Sequence, residues 1–98
     1  MRWIWDPEKN RINPGDHKVL FEIAELVFAD PLAITLRDPY PDEQRWRTIG
    51  TPGTRRDVVL FVVHTWPEED ETGEEVGRII SARKATRRER RAYKEGTF

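Results

Sequence analysis

Residues Arg78–Gly96 read RIISARKATRRERRAYKEG, a strand that hands over to a basic helix. Ile79 and Ile80 are β-branched, and with Ser81 and Ala82 they predict a strand running out of the core. Thr86-Arg87-Arg88-Glu89 has the Thr-x-x-Glu form of a capping box, so Thr86 caps the first turn and Glu89 reaches back to the Thr86 amide. Gly96 stands just past the last helical residue, where a left-handed residue closes a helix. The helix is well marked at both ends, yet its content is unfavourable. Arg87 and Arg88 fall in the first turn, where the helix dipole disfavours cations by roughly 0.3–1 kcal/mol each. Arg87 and Arg91 repel at i,i+4 by roughly 0.2–0.5 kcal/mol. Cations kept where they cost stability point to a use elsewhere. Arg83, Arg87, Arg90 and Lys94 share one face if the helix reaches back to Arg83. If it starts at Thr86, Arg83 and Lys84 lie on the strand-to-helix turn, above the sheet. Charge alone leaves polyanion binding level with a plain solvated face.

The returning strand Val76–Ala82 needs a partner. Asp57–Trp66, DVVLFVVHTW, is the strongest strand in the chain, and its unbroken apolar run predicts burial on both faces at the centre of a sheet. Between the two, Pro67–Glu75 predicts a hairpin loop. It carries Glu68, Glu69, Asp70, Glu71, Glu74 and Glu75 without a basic residue, while Arg78–Glu95 is strongly basic. The net charge of −1 therefore hides a dipolar surface.

Upstream, Trp3-Ile4-Trp5 is a short β-type run. Asp6 and Pro7 open a helix as N-cap and N1, and Pro14-Gly15 ends it by about Asn13. Val19–Ala29 predicts a second helix with Leu20, Ile23, Ala24 and Val27 as its apolar stripe, widened by Phe21 and Phe28. Asp30-Pro31 stops it. Leu32–Leu36 and Glu43–Gly50 are strand candidates, separated by a Pro-containing loop, and Gly50-Thr51-Pro52-Gly53 is a turn. The order β-α-α-β-β-β-β-α predicts an α+β fold in which helices pack on an antiparallel sheet. At 98 residues, one domain over residues 1–98 is expected. Charged residues reach 36%, but 10% aromatic content with four Trp argues for a folded core. There is no cysteine, hence no thiolate nucleophile or zinc–thiolate site, and no apolar run of membrane-spanning length. With no secretory signal in MRWIWDPEK, a cytoplasmic protein is expected.

Several pieces, taken in order, resemble the BrnT family of type II toxin–antitoxin toxins. They are Trp5-Asp6-Pro7 with Lys9 and Asn13, His17, the helix Phe21–Phe28, and Ala29-Asp30-Pro31-Leu32. Glu43-x-Arg45 with Ile49-Gly50 follows, then Val62-Val63-His64-Thr65 and the long run Arg78–Arg90. The family usually carries Lys-His-Gly before its second helix and Ser as that helix's cap; here Asp16-His17-Lys18 and Leu20 stand there. The resemblance implies a RelE-like fold and a ribonuclease that halts translation. It also implies a BrnA-type ribbon-helix-helix antitoxin encoded by a neighbouring gene, with DNA reached only through that antitoxin.

Cleaving RNA without a metal needs a base for the 2′-OH proton, cations for the phosphorane charge, and an acid for the 5′ leaving oxygen. Arginine suits the second role because its planar fork grips phosphate bidentately. Arg45 and Arg47 are two apart on one strand and share a face, with pairing to Glu43 or Asp42 as the plain alternative. By strict alternation Arg78 and Arg83 fall on opposite faces unless the strand bends, which favours Arg83 with Lys84. His17 and His64 are the only histidines and the natural acid–base pair. His64, at the end of an apolar strand, reads better as a hydrogen-bonded structural residue, and with Arg78 it stands in reserve. Tyr93 could act as an acid, but a helix-packing tyrosine is the simpler reading. Arg87, Arg90, Arg91 and Lys94 are the expected RNA contacts. An RNA-binding or antitoxin-binding module without catalysis, using the same basic face, is the alternative. Ser81 is the only serine and has no histidine beside it, the histidines lack HxxxH or HExxH spacing, and the Gly50 turn lacks a P-loop lysine, so neither metal nor cofactor is expected. Trp66, beside the acidic loop, is the tryptophan expected to be exposed; Trp5 and Trp46 read as core.

Overall fold

The computed structural model describes residues 1–12, 19–53 and 57–97. Its elements are β1 (Arg2–Ile4), α1 (Pro7–Ile12), α2 (Phe21–Ala24) with a 3-10 turn over Glu25–Ala29, β2 (Ile34–Asp38), β3 (Arg45–Gly50), β4 (Leu60–His64), β5 (Glu68–Glu69), β6 (Glu75–Lys84) and α3 (Arg87–Glu95). The strands form one six-stranded sheet in the order β1-β6-β4-β3-β2, with β5 also on β6. The expected central strand is central: β4 pairs antiparallel with β3 on one side and β6 on the other.

The sheet is mixed, not wholly antiparallel. β1 joins β6 in parallel, with Trp3 opposite Gly77. Three residues of local pattern carry no information about a partner more than seventy positions away. Packing decides the pairing: Trp3 stacks on Phe28 with ring centroids 3.9 Å apart, and its six-membered ring lies where a Cβ on residue 77 would be, so only glycine admits it. The acidic stretch is a tight hairpin that adds the short strand β5. Asp70 Oδ1 accepts from the Thr72 and Glu74 amides and the Thr72 hydroxyl, and Gly73 takes a positive φ of 83°.

The second helix is shorter than its periodicity predicts. Pro31 pushes Asp30 out of the helical region, and the final turn tightens to 3-10. Phe21, Ala24 and Val27, spaced three apart, line up on the sheet, while Leu20, at the N-cap, and Ile23 of the expected stripe are turned to solvent. Leu20 offers no side-chain cap. Asn10 of α1 supplies one from outside: its Oδ1 accepts from the Phe21 amide at 2.8 Å and its Nδ2 donates to Glu22. Asp6 caps α1 as expected, accepting from the Glu8 amide.

One face of the sheet packs Leu60, Val62, Ile79 and Ala82 against Phe21, Ala24 and Val27. The other gathers Ile49, Val59, Phe61 and Ala85, with Ala92 and Tyr93 of α3 laid against them. Trp5, half-buried, meets Phe21 edge-on at the margin of the core, Trp46 is half-buried too, and Trp66 is 57% exposed. Among the described residues no helix is long and apolar enough to cross a membrane.

Candidate active site

The capping box forms as its spacing dictates. Thr86 Oγ1 accepts from the Glu89 amide at 3.2 Å, Glu89 Oε1 accepts from the Thr86 amide at 2.8 Å, and Gly96 closes the helix at φ 73°. Glu89 does a second thing. Its two oxygens take both amino groups of Arg83, at 2.8 and 3.0 Å, in a fork-to-fork pair. Burial pushes the Glu89 carboxyl up, but the Arg83 guanidinium and the Thr86 amide and hydroxyl outweigh it and hold it below the ordinary glutamate range. Arg83 lies over the Phe61 ring, 4.1 Å from its centroid, and also donates to the Lys84 carbonyl.

β6 runs on through Lys84, so Arg83 and Lys84 are not on a turn above the sheet. Pairing with Phe61 and Leu60 keeps them extended, and neighbours on a strand project to opposite faces. Arg83 faces α3; Lys84 is exposed on the other side. The two expected partners are therefore separated.

A bulge makes up the loss. Val63 pairs with Ser81 but His64 pairs with Ile79, so Ile80 is an extra residue that reverses the alternation. Arg78 thereby lands on the same side of β6 as Arg83. There it grips Glu43 through Nη2 at 2.8 and 3.0 Å, and Arg45 Nε meets the same carboxylate at 2.9 Å. The Arg45 and Arg78 guanidiniums hold Glu43 below its usual range. Arg45 also stacks over the Tyr40 ring at 3.8 Å. Arg47 takes Asp38, not Asp42: β2 lies antiparallel on β3, which brings Asp38 diagonally across, with Arg47 Nε 3.3 Å from Asp38 Oδ1. That Nε is buried and lacks an aligned hydrogen bond among the described residues. Arg45, Arg47, Arg78 and Arg83 thus share one side of the sheet, each beside a carboxylate.

The reserve candidates are built into the framework. His64 is 2% exposed on the opposite face. Its Nδ1 donates to the Thr65 carbonyl at 2.8 Å, which leaves Nε2 to accept from the Thr48 hydroxyl at 2.6 Å, and Thr48 in turn accepts from Thr35. Burial pushes the imidazole down despite the Thr65 bond, and the rings of Trp3 and Phe28 close around it. Tyr93 gives its hydroxyl to Asp30 Oδ2 at 2.6 Å. Asp30, 8% exposed, also accepts from the Leu32 and Thr51 amides. Burial raises its pKa, but the Tyr93 hydroxyl and those amides bring it below the ordinary aspartate range. His17 lies outside the described residues.

On α3 the pattern inverts. Arg87, Arg88, Arg90, Arg91 and Lys94 are all exposed, and none has an acidic partner among the described residues. Arg87, Arg90 and Lys94 of the expected face line one groove on the outer side of the helix with Arg91 and Glu95, but Arg83 is not among them, because it belongs to β6. On its inner side a cleft of about 650 Å³ opens between α3 and the β2–β3 hairpin, lined by Leu36, Arg47, Arg88, Arg91, Ala92 and Glu95 among others. Among the described residues no group of three or more His, Asp or Glu is placed to hold a metal ion.

A family model described as the ribonuclease toxin BrnT of type II toxin–antitoxin systems matches residues 5–89. This chain belongs to the BrnT family. No curated protein matches it. Membership makes it a ribonuclease toxin of a type II pair, with RNA as substrate and an antitoxin as partner. The BrnT match takes in the four sheet arginines and ends at Glu89, so the last turns of the basic helix lie past it.

Sequence reasoning offered Glu43 as the partner of Arg45, as the structure has it, but missed the other carboxylates of this candidate site. Glu89 read only as a cap, and Asp38 and Asp30 read as loop and helix-stop residues. Only the Glu43-x-Arg45 pairing was legible, because that spacing puts both side chains on one side of an extended chain.

Proposed function

We propose that this BrnT toxin cleaves RNA as a metal-independent endoribonuclease, with the 2′-OH of the RNA as nucleophile. It acts in the cytoplasm, inhibits translation, and is neutralised by a BrnA-type ribbon-helix-helix antitoxin encoded next to it. The observation that carries this is the gathering of Arg45, Arg47, Arg78 and Arg83 on one side of the sheet, next to a helix whose cations have no acidic partner among the described residues. Carboxylate partners hold these guanidiniums in place before any substrate arrives. A guanidinium has five N–H donors, and Arg83 spends three of them on Glu89 and Lys84, which leaves two for a phosphate oxygen. Arg83, with Arg45 or Arg47, stabilises the phosphorane charge. His17 is the proposed base or acid. Lys84 serves the same phosphate only where the RNA passes over the end of β6. That each of these four arginines already has a carboxylate beside it favours one second reading, a module that binds RNA or antitoxin without cleaving.

The two are separated by incubating purified protein with RNA in EDTA. Cleavage is expected, with none when the 2′-OH is replaced by hydrogen. Intact RNA would leave the binding module. Arg83→Ala should lower the rate by roughly 10²–10³, as loss of one electrostatic donor does elsewhere. Lys84→Ala and His17→Ala complete the set, with folding checked by circular dichroism. If all three cleave at the parent rate, the site lies elsewhere.

A further inference from the structure

We propose that the cleft between α3 and the β2–β3 hairpin is a nucleotide subsite, seating one phosphate and one unstacked base of single-stranded RNA next to the sheet arginines. This rests on the ribonuclease reading above. Three arginines line the cleft from opposite walls, Arg47 from β3, where Asp38 pairs with its Nε, and Arg88 and Arg91 from α3. Arg88 and Arg91 are three apart on the helix, so they lie on one side and repel until an anion comes between them. Neither has an acidic partner among the described residues, and the terminal amino groups of Arg47 make no hydrogen bond there. Glu89 also lines the cleft, but Arg83 already neutralises it. Glu95 is the remaining carboxylate, an acceptor for ribose hydroxyls or a base amino group. Leu36, 40% exposed, and Ala92 give the cleft an apolar wall against which a base can lie. Its volume of about 650 Å³ falls within the range of small-molecule sites. Arg47 lies 5.9 Å from the centroid of the Phe61 ring that Arg83 covers, so a strand leaving the sheet arginines meets the cleft next. The outer groove of α3 offers charge without a wall.

The test uses a 2′-O-methyl RNA hexamer, which cannot be cleaved, with binding read by fluorescence anisotropy across a salt series. Arg88→Ala and Arg91→Ala are each expected to weaken binding about tenfold and to flatten the slope of log K against log salt by roughly 0.7, one phosphate's worth for a single strand. Leu36→Glu is expected to weaken binding as much. Arg37→Ala removes the same charge from the next residue of β2, and its effect should stay under about threefold. A cytidine or adenosine monophosphate should compete better than orthophosphate. Parent-like binding by the Arg88, Arg91 and Leu36 variants overturns the proposal. So does an Arg37→Ala loss as large as theirs, which would mean diffuse charge, or competition by orthophosphate as strong as by nucleotides, which would mean an anion site only. The probe is uncleavable, so these outcomes speak to the cleft alone. Intact natural RNA in the cleavage assay would sink the ribonuclease reading and leave the cleft's binding standing.

Discussion

Deleting one oxygen, in Tyr93→Phe, separates a structural tyrosine from a chemical one. The Tyr93 hydroxyl donates to Asp30 Oδ2 at 2.6 Å, and Asp30 is ionised and nearly buried. A hydrogen bond to a charged group contributes roughly 1.5–3 kcal/mol. Asp30 keeps the Leu32 and Thr51 amides after the change, so it is not orphaned, and the loss should sit at the low end, about 1.5 kcal/mol. For a chain this short, each kcal/mol moves the melting temperature by roughly 4–8 °C, so a fall of about 6–12 °C is expected. Thermal melts followed by circular dichroism measure it, and Asp30→Asn closes a double-mutant cycle in which the two losses should be well short of additive. RNA cleavage per folded molecule should stay at the parent rate. A melting temperature within about 2 °C of the parent would refute the tie between α3 and the Asp30 loop. Parent stability with cleavage lost would make Tyr93 the acid and overturn its structural role.

Two more outcomes follow from buried contacts. His64 is held neutral, its folded pKa below the unfolded value, so the unfolded chain binds the proton first. Stability should be full above about pH 6.5 and fall as pH drops below it, by at most about 1.4 kcal/mol per pH unit, and urea melts at pH 7.5 and 5.5 read the difference. The depressed carboxylates Asp30, Glu43, Asp70 and Glu89 add their losses only at more acidic pH, so a flat response between 7.5 and 5.5 would deny the His64 assignment. Gly50→Ala would bring a Cβ to 3.0 Å from Asp30 Oδ2 and Val27 Cγ1 and 3.1 Å from the Ala33 Cβ; a loss of about 1–3 kcal/mol is expected in the same melts, and an unchanged midpoint would show that the Asp30 loop yields freely.

The elements set by local chemistry were legible in the chain. The Thr86–Glu89 box, Gly96, the Asp6 cap and the apolar run around Val62 each act within a few residues, and each formed where its pattern placed it. Local pattern failed where a distant group intervened. Leu20 and Ile23 read as core, but the sheet takes the row of Phe21, Ala24 and Val27 instead, and Pro31 tightens only the turn after Ala24. Trp3 signalled a strand without a direction, and only Phe28 and Gly77 made it parallel. The site divides the same way. Residue type alone marked arginine as the phosphate-binding group and marked the cations of α3 as costly to keep. Which arginines meet depended on one bulged residue, Ile80, because a single insertion in a period of two exchanges every later side chain between faces. That insertion joined Arg78 to Arg83, and the length of β6 parted Lys84 from it. The carboxylates that hold the arginines come from other strands and from the helix cap, at separations that only the tertiary structure closes.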